Sequence, residues 1–174
     1  MAPQNWPPSP MRLSQTLHSI LGTALLVTLT ACGDSAADPF ALIQKGEFAA
    51  AIAAIEPQLE TVEKGSDAHK DLLIGYTEAL AAEAPEKARD TFIKAMDDHK
   101  DFIKPADVKY VVNRMANDGH LVEAIDVMHH GKEAWPKDET IAVVLDELKK
   151  AVTSSGNTGA LDKLKSMGYL GSDD

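Results

Sequence analysis

A chain of 174 residues with 44% hydrophobic and 25% charged side chains has room for one domain, alone or behind a targeting segment. Aromatics are only 5% and Ala and Leu dominate the apolar content, which favours close-packed helices over a sheet. Residues 1–31 hold one Arg and no Asp or Glu, so the rest carries 16 Lys and Arg against 27 Asp and Glu; this argues against nucleic acid as a partner and against a basic membrane-binding face.

In chain order, residues 1–10 (MAPQNWPPSP) are Pro-rich and lack a basic charge, so Met11-Arg12 makes a better start than Met1 for a secretory signal. Ile20 to Leu29 (ILGTALLVTL) is an unbroken apolar run. It is too short to span a bilayer as a helix, for which about 20 residues are needed, but it suits the core of such a signal. Cys32 is the only cysteine, which excludes an intrachain disulfide.

Leu29-Thr30-Ala31-Cys32 is a branched apolar residue, two small ones and a thiol, and it resembles the lipobox of bacterial lipoprotein precursors. The resemblance implies that residues 1–31 are a signal peptide cut before Cys32. It also implies a diacylglycerol on the thiol and an acyl chain on the freed amine. Two or more such chains anchor firmly where one would not. Residues 32–37 then form the lipidated cysteine and a short tether. Gly33, where an Asp would retain a lipoprotein at the inner membrane, favours the outer membrane and a periplasm-facing domain.

Residues 38–170 show an internal repeat. Ala51, Ala88, Ala124 and Ala160 recur at spacings of 37, 36 and 36, each followed four residues later by Ile55, Phe92, Met128 or Leu164. Seven after each alanine come Gln58, Ala95, Gly131 and Met167. Such a series lies on one helix face and shows the same stripe to a neighbour. Breaks precede each stripe at Lys45-Gly46-Glu47, Glu83-Ala84-Pro85, Asn117-Asp118-Gly119 and Ser154-Ser155-Gly156-Asn157. Leading helices are predicted by Leu72, Tyr76 and Ala79, by Val108, Val112 and Met115, and by Val144, Leu148 and Ala151. Ser66 and Asp138 are predicted N-caps. Pro57 should kink or end the second helix of the first unit. Gly168 should stop the last helix, with Tyr169 and Leu170 folding back and residues 171–174 frayed.

Gly46-Glu47-Phe48 with Ala51, Gly119-His120-Leu121 with Ala124, the small–large–small set Ala88, Phe92 and Ala95, and Trp135-Pro136 together resemble the tetratricopeptide repeat. The implied fold is all-α: antiparallel helix-turn-helix units, about three and a half of them, stacked as a short right-handed superhelix. In such folds the first helices line a concave, protein-binding side. By resemblance the groove would be lined by Lys70, Leu73, Thr77 and Leu80, then Lys109, Asn113 and Asn117, then Leu145 and Lys149. Three lysines on one face of an acidic protein would suit an acidic segment or a chain terminus.

No motif of catalysis accompanies this pattern: no phosphate-cradling glycine loop, HExxH, paired Cys or GxSxG. His129 and His130 are adjacent, so on a helix they point about 100° apart and make a poor metal pair. The phenylalanines and Tyr76 fall on core stripes. The expectation is therefore a non-enzymatic, cofactor-free adaptor lipoprotein of the cell envelope that binds a protein or peptide. A self-associating structural lipoprotein is the first alternative and an enzyme with an unrecognised site the second.

Overall fold

The computed structural model describes residues 38–171, and all of them are helix, turn or connecting chain. The expected signal segment, Cys32, the tether and residues 172–174 lie outside these described residues. Eight helices are present among them: α1 Pro39–Gln44, α2 Phe48–Thr61, α3 Asp67–Glu83, α4 Pro85–Asp98, α5 Pro105–Asn117, α6 Leu121–Ala134, α7 Glu139–Ser155 and α8 Thr158–Ser166. None is long and apolar enough to cross a membrane.

Local chemistry sets the boundaries. Asp38 accepts from the Phe40 N–H at 3.0 Å, Ser66 from His69 at 3.1 Å and Asn157 from Ala160 at 3.0 Å, so orphan donors at three helix starts are satisfied. Asp138 accepts from both Thr140 and Ile141. Proline opens α4 and α5, where its missing N–H costs nothing. Gly156 ends α7 with φ of 67°, a left-handed turn that a side chain would strain.

The repeated alanines lie at the centre. Ala51, Ala88, Ala124 and Ala160 are 0% exposed, as are Ile55, Phe92, Met128 and Leu164 four residues on. A methyl side chain at each place lets two helices approach, and the large side chain one turn later fills the space beyond. Seven after Ala124, Gly131 has no side chain because there is no room. A Cβ there would stand 2.9 Å from Cγ1 of Val108 on α5.

The leading-helix stripes are buried at Leu72, Tyr76 and Ala79 and at Val108, Val112 and Met115. In α7 the stripe continues from Val144 and Leu148 to Val152, whereas Ala151 is exposed. Steps of four and four, not four and three, carry that face to the helix end. Pro57 does not end its helix: α2 runs through it to Thr61. Pro57 and Ala53, whose carbonyl loses its N–H partner, are both exposed, so the ring meets no neighbour and water can satisfy the oxygen.

Most helices consecutive in the chain pack on one another, α2 on α3 and α6 on α7 included. Each helix packs on the one joined to it by a turn in α1–α2, α3–α4, α5–α6 and α7–α8. The odd-numbered helices also pack in succession, α1 on α3, α3 on α5 and α5 on α7. Among the even-numbered ones, α4 packs on α6 and α6 on α8. At the C-terminal end Gly168 turns the chain, and Tyr169 and Leu170 fold back against the core. The Tyr169 hydroxyl and His129 Nδ1 share a hydrogen bond of 2.7 Å.

Candidate functional site

Most side chains of α1, α3, α5 and α7 that face a neighbour are buried, yet the most exposed large apolar residues all belong to these helices. Phe40 on α1 is 39% exposed, and Tyr110 on α5 and Val143 on α7 are each 48% exposed. Phe40 therefore departs from the expectation that the phenylalanines lie in the core, while Phe92 meets it. Ile74, which precedes Tyr110 by the 36-residue repeat, takes the corresponding place on α3 and is half-buried.

Two adjoining depressions lie beside Phe40 and Tyr110. One, of about 610 Å³, runs from the end of α1 to α5 past Ile43, Lys45, Phe48, Glu78 and Arg114. The other, of about 310 Å³, is lined by Phe40, Asp71, Ile74, Gly75, Glu78 and Tyr110. Glu78 and the two rings belong to both.

Glu78 organises the polar side. The Tyr110 hydroxyl donates to its Oε2 at 2.6 Å, and Arg114 Nε stands 3.5 Å from its Oε1. Arg114 Nε is also 3.1 Å from Asp118 Oδ2. That nitrogen is buried and makes no hydrogen bond, so charge rather than directed bonding holds the guanidinium between its two carboxylates. Burial first, then the bond to Glu78 and its charge, push the Tyr110 phenol up to about 12, with Arg114 opposing. The phenol consequently remains a donor throughout the physiological range, and α3 and α5 are tied by it.

The row implied by the repeat resemblance is dispersed. Thr77 is 1% exposed and spends its hydroxyl on the Leu73 carbonyl at 2.8 Å, and Leu80 is buried as well. Leu73 lines a separate cleft, with Leu59, Tyr76, Thr91 and His99. Lys70 lies over the Phe102 ring, 5.6 Å from its centroid, and 3.9 Å from Asp67. Lys149 is 3.5 Å from Asp146. Lys109 and Asn113 are half-buried, Leu145 packs against the core, and Asn117 is exposed at the end of α5. The depressions are lined instead by the neighbours one position on: Ile74 and Glu78, Tyr110 and Arg114.

No family model, curated protein or solved structure matches this chain.

Among the described residues, the side chains of His69, His99, His129 and His130 make contacts within the fold. His130 Nε2 lies 2.9 Å from Asp97 Oδ1, joining α6 to α4. His69, 5% exposed, accepts the Gly65 N–H at Nδ1 and meets the His99 ring edge-on at 5.1 Å between centroids. Desolvation first, then His99 and Lys64, lower its pKa from 6.5. Among the described residues no group of three or more His, Cys, Asp and Glu side chains is placed to hold a metal ion.

Proposed function

We propose that the protein is a lipid-anchored adaptor of the bacterial cell envelope that holds a partner polypeptide along its odd-numbered helices. In this reading Cys32 carries the lipid and residues 33–37 are the tether. The helical units form a short tetratricopeptide-like superhelix of about three and a half repeats. Support for the superhelix comes from the regular burial of Ala51, Ala88, Ala124 and Ala160 and from the succession of contacts between alternate helices. The anchor rests on the run Ile20 to Leu29 ahead of a lone cysteine.

The observation that carries the binding role is the open, aromatic-edged depression between α1, α3 and α5. Apolar walls beside fixed polar groups are what an extended peptide needs: burial for its side chains and partners for its backbone. Arg114, Glu78 and Tyr110 hold one another, so the wall is rigid before anything binds, which lowers the ordering cost of association.

Fractionation of native membranes tests both halves of this reading. The full-length protein should sediment with the outer membrane and co-purify with a defined partner. Cys32→Ser should move it to the soluble fraction, and Tyr110→Ala should leave it membrane-bound but without the partner. A protein that stays soluble with an intact thiol, or that keeps its partner after Tyr110→Ala, would overturn the proposal. Capture of only a second copy of the chain would put the self-associating envelope lipoprotein in its place.

A further inference from the structure

The smaller depression has a composition that selects its occupant. Its six lining residues comprise two rings, Phe40 and Tyr110, two carboxylates, Asp71 and Glu78, and a floor of Ile74 and Gly75. No cation is among them. Gly75 sets the shape, because a Cβ there would stand 2.9 Å from Cε1 of Phe40; its absence lets the ring lie against α3. Both rings keep a large part of their surface in water.

The local charges leave a surplus. Glu78 is met by the Tyr110 hydroxyl and by Arg114, but Arg114 is shared with Asp118. Asp71 is exposed and enters no ion pair or hydrogen bond within the described residues. Two carboxylates, Asp71 and Glu78, thus line the cleft, and the guanidinium beside Glu78 is divided between it and Asp118. Lys45 borders the larger depression and does not line this one.

We propose that this cleft takes a lysine or arginine side chain from an extended basic segment of the partner, a proposal that rests on the adaptor reading above. The aliphatic stem lies on Ile74 and Gly75 between the two rings, and the cationic head reaches Asp71 and Glu78. Ring faces and carboxylates both attract a cation, and the stem covers the apolar floor. An acidic segment would meet like charge here, and a purely apolar one would leave Asp71 facing it without a partner. The occupant is therefore of opposite sign to the one that a row of lysines would hold.

The test titrates the full chain into two fluorescein-labelled peptides of equal length, one built of Gly-Leu-Arg-Leu-Gly and one with Glu in place of Arg. Fluorescence anisotropy should saturate with the first only, and its affinity should fall as salt rises. Asp71→Asn should weaken binding by about threefold to tenfold, the scale of one exposed charge or cation–π contact. Gly75→Ala should weaken it similarly by pushing the Phe40 ring across the cleft. Glu86→Gln, the same change of charge on α4, should have no effect. Equal binding of the two peptides, or Arg-peptide binding untouched by Asp71→Asn and Gly75→Ala, would overturn the proposal. If Tyr110→Ala still abolishes partner capture in membranes while the Arg peptide fails to bind, the cleft proposal falls and the adaptor reading stands. If the Arg peptide binds as described but no partner is captured, the reverse holds.

Discussion

The odd-numbered and even-numbered helices both bury small and large apolar side chains where they touch, yet their surfaces are finished differently. On the even side, Asp126 of α6 receives Lys163 of α8 at 2.6 Å and Arg89 of α4 at 3.4 Å. One carboxylate thus clamps three successive even helices, and all three side chains are largely covered. On the odd side, Glu78 likewise gathers Tyr110 and Arg114, but the rings beside it stay in water and the space between them stays open. Ion pairs tie the even helices to one another and, on the odd side, border an open cleft. The difference teaches that buried apolar residues supply the helical scaffold, while a few polar and aromatic residues outside the core decide where a depression opens.

The largest effect should come from the shared scaffold. Phe92→Ala, on α4, empties a fully buried site and should cost about 3–5 kcal/mol, read as a fall in the urea midpoint. Next comes a matched pair of glycines. Gly131→Ala drives a methyl into Val108, whose β-branched side chain cannot swing aside, and should cost about 1–3 kcal/mol. Gly75→Ala comes closest to the edge of a partly exposed Phe40 ring, with Ile43 Cδ1 at an ordinary 3.4 Å, so it should cost less than about 1 kcal/mol while changing the cleft. Equal costs for the two glycines would erase the distinction between a closed core and an open face.

Asp126→Asn removes the common anion of the even-side clamp. The partners are partly solvated, so the loss should be about 1 kcal/mol, and most of it should vanish in high salt. The smallest effect concerns acid. His69 has a folded pKa below its ordinary 6.5, so the unfolded chain binds the proton more readily. Its contribution is full above pH 6.5 and is lost as pH falls from there through the lowered folded value. Protonation would also break the Gly65 N–H bond to Nδ1. His69→Gln should flatten the stability profile below pH 6.5; an unchanged slope would place the acid sensitivity elsewhere.

Much of the scaffold is legible in the sequence because small residues mark where helices touch. The alanine series and the large residues four positions on need only the helical period, and each lies where that period puts it. Ala151 misleads because three and four are both neighbour steps on a helix, and only packing against the rest of the chain selects Val152. Pro57 does not stop α2, since the size of a proline's penalty depends on which way the ring and the freed carbonyl face, and here Pro57 and Ala53 are both exposed. The row implied by the repeat resemblance lies about one residue away from the lining of the cleft. Phe40 of α1 covers Gly75, and Val111 is buried, so the open face is turned toward Ile74, Glu78, Tyr110 and Arg114. A neighbouring helix of that kind is not encoded in local periodicity. The signals that could have found the cleft are Glu78 and Arg114, opposite charges 36 residues apart on α3 and α5, and a glycine at position 75.

Photo-crosslinking in native membranes addresses the central claim most directly. A benzoylphenylalanine placed at residue 40 or 110, on the odd side, should capture the partner. The same group at residue 94 on α4 or 162 on α8 should capture little. Equal adducts from both pairs, or adducts from the even side alone, would contradict the account.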